Sequence, residues 1–159
     1  MRAVRYLTLA SACVAALTWS GTASAAIVPQ QSIAGIELDM TRPEVRAAKG
    51  DPRRVEHGTN DFGPYTIFRY GRLWVVFQGN DGATAVSTRR PGQRTAEGIG
   101  VGSSEAELRA AHTVRCRTEA DEFRHCWSGR FRPGRRVTDY WIGMTSGLVT
   151  RVTVAYVID

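Results

Sequence analysis

Lysine is almost missing from this chain. Lys49 is the single lysine in 159 residues, and arginine carries the rest of the positive charge. That bias points to a GC-rich genome more than to a binding function. The arginines are spread out and interleaved with acids, so the concentrated basic stripe of a nucleic-acid binder is absent. Cysteine is scarce, with three residues. The apolar stretch Leu7–Trp19 falls short of the roughly 20 residues a membrane-spanning helix needs. No G-x-S-x-G, H-E-x-x-H or C-x-x-C occurs, and Gly98-x-Gly100-x-Gly102 does not complete a G-x-G-x-x-G. The three histidines, His57, His112 and His125, stand in no recognisable catalytic setting. We therefore expect no enzyme, no catalytic residues, no cofactor, no metal and no nucleic-acid partner.

The first residues carry a clear signal. Arg2 and Arg5 form a positive start, an uncharged Ala- and Leu-rich run follows, and small residues lead to Ala23-Ser24-Ala25. This is the anatomy of a secretory signal peptide, with the cut expected after Ala25. Residues 1–25 would be removed and no transmembrane anchor would remain. Cys13 follows small residues, as in a lipoprotein, but the apolar run continues past it, so it reads as part of the discarded peptide. The mature chain would carry 19 positive residues against 15 acids, a charge of +4. Export to the extracellular space is expected, with retention at the cell wall as a variant.

Two cysteines, Cys116 and Cys126, remain after cleavage. An even count in an exported chain favours a disulfide. The alternative is a metal site built from His112, Cys116, His125 and Cys126. The adjacency of His125 and Cys126 suits tetrahedral zinc poorly.

The mature chain is similar to itself at an offset of 63 residues. Gly35–Ala48 lies over Gly98–Ala111 without gaps. In each copy an apolar stretch leads to a hydroxyl residue, Thr41 or Ser104, followed three residues on by Glu44 or Glu107. That spacing predicts a capping box and a helix of about two turns. Gly50-Asp51-Pro52 ends the first helix. Strands are expected at 55–58, 65–70, 73–78 and 83–88, with a turn at Asn80-Asp81-Gly82. Further strands are expected at 113–117, 122–128, 137–144 and 148–158. Arg89–Arg94 reads as the linker between a first unit, 26–90, and a second, 91–159. The acidic residues Glu119, Asp121 and Glu122 read as a solvated hairpin tip.

Met40-Thr41-Arg42-Pro43-Glu44-Val45 followed by Gly50-Asp51-Pro52 resembles the G-M-T-x-x-(Q/E)-V…G-x-P pattern of the SmpA/OmlA small lipoproteins, with Asp39 in place of the glycine. Two such modules in tandem resemble the β-lactamase inhibitory protein (BLIP-like) family. The resemblance implies an α+β fold of two tandem helix-plus-four-stranded antiparallel meander repeats. These would form one extended curved sheet with the helices on one face. It also implies a surface that clamps a partner protein.

Strand alternation sorts the side chains onto two faces. Leu73, Val75 and Phe77 form one apolar set, expected against the helices. Trp74 falls on the other, and alignment of the hairpin glycines Gly82 and Gly147 puts Asp139, Trp141 and Gly143 there too. Tyr65, Arg69 and Arg151 are expected to share it. Exposed aromatics anchor interfaces, so this face is the candidate partner-binding site, with cover for the core edge as the alternative role of both tryptophans. The expected function is a secreted, non-catalytic binding module for an extracellular or cell-envelope protein or peptide. Two rivals are a cell-envelope structural or assembly protein of SmpA/OmlA type, and an inhibitor of a secreted hydrolase or β-lactamase.

Overall fold

The computed structural model describes residues 26–120 and 123–158. The signal-peptide reading of 1–25 lies outside the described residues, as do Asp121 and Glu122 of the acidic tip. Three short strands come first: β1 (Ile27–Val28), β2 (Ser32–Ile33) and β3 (Ile36–Glu37), paired in that order. Helix α1 (Arg42–Lys49) follows, then β4 (Arg54–Asn60), β5 (Gly63–Arg69), β6 (Leu73–Gln78) and β7 (Ala83–Thr88). Helix α2 (Glu105–Ala111) precedes β8 (Arg115–Glu119), β9 (Phe123–Gly129), β10 (Arg136–Ile142) and β11 (Val149–Tyr156). Strands β4 to β11 form one antiparallel sheet in the order β4-β5-β6-β7-β11-β10-β9-β8.

The expected α+β pair of helix-plus-meander repeats is corrected by this architecture, which is mostly β. The helices have 8 and 7 residues, and each buries one side chain, Val45 in α1 and Leu108 in α2. Elements that small plug the sheet and form no layer of their own. The N-terminal sheet, not foreseen, sends Ile27, Ile33 and Ile36 into the core with no exposed surface. Pairing of β7 with β11 makes the large sheet continuous. Residues from both halves of the chain share one apolar cluster, including Phe68, Val75, Phe77, Tyr140, Val152 and Val154. The stretch read as a linker is exposed except at Gln93, and it is tied down by a bridge from Arg94 to Gly100 and by the Arg94 carbonyl, which accepts from the Ile27 N–H at 3.0 Å.

Both capping boxes form as the spacing predicts. The Glu44 carboxylate accepts from the Thr41 N–H at 2.7 Å, and the Glu107 carboxylate accepts from the Ser104 N–H at 2.7 Å. Each hydroxyl in turn accepts from the N–H of its glutamate, which satisfies donors that a helix start leaves free. These bonds to the charged form hold both carboxyls below the usual glutamate value. Gly50, at φ 76°, ends α1. Asp39, where the resemblance expects glycine, also adopts a left-handed φ of 73°, a region Asp tolerates better than most residues. Its carboxylate accepts from the Tyr156 hydroxyl at 2.7 Å and the Arg136 guanidinium at 2.5 Å, tying the chain before α1 to β10 and β11.

Candidate functional site: the open face of the sheet

Register alone divides the large sheet into two faces, because residues paired across antiparallel strands point the same way. Leu73, Val75 and Phe77 lie on the inner face and are buried, as expected. The outer face can be followed across all eight strands. One row runs Arg54, Arg69, Trp74, Ser87, Thr153, Asp139, Trp127 and Arg115. A neighbouring row runs Arg151, Trp141, His125 and Arg117. Tyr65 belongs to the same face through its pairing with Gly58 and Gln78. Gly58 is needed there: a Cβ on it would stand 2.4 Å from the Tyr65 ring.

The structure therefore brings Tyr65, Arg69, Trp74, Asp139, Trp141 and Arg151 onto one face, all half-buried. Gly143 departs from the expected set, because β10 ends at Ile142 and the register shifts after Trp141. The two tryptophans differ. Trp141 has the Arg151 guanidinium 3.5 Å from its ring centroid and Phe123 stacked 4.5 Å away. Since β11 and β9 flank β10 on opposite sides, the Trp141 ring is held between them and offers its edge. Trp74 has Arg69 and Arg89 at 5.5 and 5.7 Å from its ring.

A cleft of about 880 Å³ opens beside Trp74 at the β5–β6 turn. Arg69, Arg72, Arg89 and Arg151 line it, and no carboxylate does. Arg69 is paired with Glu56 at 3.0 Å. Arg72, Arg89 and Arg151 have no ion pair among the described residues. The Arg151 Nε is cut off from solvent and has no hydrogen-bond acceptor. Burial lowers the Arg151 pKa from its ordinary value, and the charge of Arg89 lowers it further. A second cleft of about 620 Å³ lies at the β8–β9 end, lined by Arg115, Trp127, Arg130, Phe131 and Arg132.

His125 was missed as a member of this face. Its Nδ1 lies 2.8 Å from Asp139 and its Nε2 lies 3.4 Å from Glu119. The hydrogen bond to Asp139, ahead of the cost of burial and aided by Glu119, raises its pKa above the ordinary value. Both carboxylates favour the charged form of the ring, and Phe123, Trp127 and Phe131 pack around it. Glu119 ends β8 beside the hairpin tip and accepts an exposed bond from Arg117 at 2.5 Å, which lowers its pKa. The signal for His125 was available. Cys126 faces inward, so alternation turns its neighbour outward.

The cysteine question is settled by the Cys116–Cys126 disulfide, which joins directly paired residues of β8 and β9. Glu105 lies near both sulfurs, but bonded cysteines offer no thiolate, and Glu105 is engaged by Arg124 and Arg109. Of the other histidines, His57 sits on the inner side of β4 with Nδ1 3.2 Å from the Thr66 hydroxyl. His112 caps α2 and lies 3.5 Å from Glu97. Among the described residues no helix is long and apolar enough to cross a membrane.

No family model and no curated protein matches this chain. Among solved structures, an extracellular protein containing an SCP domain from Bacillus anthracis str. Ames is similar in fold at a TM-score of 0.50 and 4% identity. The alignment covers 75% of this chain and 44% of that one, so this chain spans less than half of its length. A DUF4309 family protein, YjgB, from Bacillus subtilis subsp. subtilis str. 168 is similar at a TM-score of 0.50 and 16% identity. That match covers 83% of this chain and 88% of the other. At these identities the likeness concerns the fold alone, and neither description names a SmpA/OmlA-type or BLIP-like protein.

Proposed function

We propose that this protein is an exported, non-catalytic binding module that engages a protein or peptide through the open face of its large sheet. The observation that carries the reading is the composition of that face. Half-buried tryptophans and arginines stack on one another there, beside a half-buried aliphatic row that includes Ile67 and Val76. Aromatic and arginine side chains are the residue types that dominate interface energetics. Stacking also holds each guanidinium in place before a partner arrives, which lowers the entropy lost on binding. The disulfide favours an oxidising compartment.

The test is affinity capture on the immobilised exported protein, with Trp74→Ala and Trp141→Ala on the sheet face and Ala106→Gln on the exposed side of α2. Loss of a retained partner by both tryptophan variants, with retention by Ala106→Gln, is the expected result. Equal retention by all three contradicts the sheet-face site.

A further inference from the structure

We infer that the arginine cleft at the β5–β6 turn is a carboxylate-recognition site, and that its occupant is a short acidic peptide segment. This deepens the sheet-face reading and rests on it. Four arginines from separate parts of the sheet line it: Arg69 at the end of β5, Arg72 before β6, Arg89 after β7 and Arg151 in β11. Like charges brought together without a counter-charge repel, and the lining of the cleft contains no acid. Among the described residues Arg69 is paired with Glu56, and Asp139 acts on Arg151 from beyond ion-pair distance. Arg151 is half-buried and held over the Trp141 ring at the wall of the cleft, which fixes its guanidinium in advance of a ligand. A carboxylate has the planar, two-oxygen geometry that a guanidinium fork matches.

Charge placement favours a short peptide over a polyanion. Glu56 lies on the same face to one side of the cleft, and Asp139 and Glu119 lie to the other. A long chain of phosphates or sulfates laid along the face would run over these acids. A segment with one or two carboxylates would meet only the arginines. Val101 and Leu148, which is 40% exposed, form an apolar wall of the same cleft. They suit an apolar residue next to the acid.

The experiment uses the exported protein and immobilised decapeptides of Asp, Glu, Leu and Trp, each with a matched copy in which Asn and Gln replace the acids. A ten-nucleotide oligothymidylate serves as the polyanion. Acidic decapeptides are expected to bind about tenfold or more tightly than their amide copies, the span of a charge-assisted hydrogen bond. Arg89→Gln and Arg151→Gln should each narrow the preference for acidic over amide copies about tenfold. Arg89 is exposed, so its variant keeps the test valid if Arg151→Gln fails to fold. Equal binding of acidic and amide copies overturns the carboxylate site, as does an absence of decapeptide binding. In either case capture of a partner by the wild type, lost in the tryptophan variants, would leave the sheet-face reading standing. Tighter binding of the oligothymidylate than of any decapeptide overturns the peptide occupant.

Discussion

At the scale of single residues, the open face is organised by pairs whose partners can be named. His125 lies between Asp139 and Glu119, which favour its charged form. Its raised pKa means the pairing stabilises the fold fully below the ordinary value of 6.5 and loses that contribution as pH rises through the folded value. An NMR titration of the His125 ring should give a pKa above 6.5, and Asp139→Asn should lower it. A midpoint at or below 6.5 in the wild type would contradict the pairing. The two tryptophans should also part company. Trp141→Ala removes a ring held between Arg151 and Phe123, and thermal or chemical unfolding should register a loss of about 1–3 kcal/mol. Trp74→Ala, whose described ring partners are two arginine side chains, should cost less in stability than Trp141→Ala. Alternation placed both tryptophans correctly but could not separate these roles, because Phe123 and Arg151 reach Trp141 from strands that only the tertiary pairing makes neighbours.

At the scale of elements, the helices were the most legible part of the chain. Thr41 with Glu44 and Ser104 with Glu107 form their boxes, since a cap depends on four consecutive residues and little else. Thr41→Ala or Ser104→Ala should cost about 0.5–2 kcal/mol in denaturant unfolding. Helix α2 is further tied to the sheet by Glu105, which accepts two bonds from Arg124 and one from Arg109. The Arg124 bonds, more than those of Arg109, bring the Glu105 pKa down to about 2. A depressed carboxyl adds stability above its unfolded value of 4.5, lost as pH falls towards about 2. Glu105→Gln should therefore lower Tm at pH 7, with the gap to wild type closing between pH 4.5 and 2. A gap that stays constant over that window would rule out the ion pair as its cause. Strands β1 to β3 were illegible, since two-residue strands leave no periodicity to read. Their isoleucines looked like a lead-in to α1 and instead fill the core.

At the scale of the whole molecule, one continuous sheet with a dry inner face and a mixed outer face is the organising fact. The eight strands were visible as alternating segments. Their continuity was not, because the β7–β11 pairing joins residues more than 60 positions apart. The same non-local pairing gathers Arg69, Arg89 and Arg151 into a single cleft, which explains why sequence named two of those three residues without naming the cleft. Across the β8–β9 end, the Cys116–Cys126 bridge closes a short loop, and replacing both cysteines by serine should cost about 2–3 kcal/mol under non-reducing conditions. The central claim is that the outer face receives a partner. The most direct test places a photo-crosslinking residue at Thr153, in the middle of that face, and at Ala48 or Ala106 on the helices, and exposes each protein to the proteins of its own culture medium. The account predicts a discrete covalent adduct from position 153 and none from 48 and 106. Adducts formed only from the helix positions would contradict it.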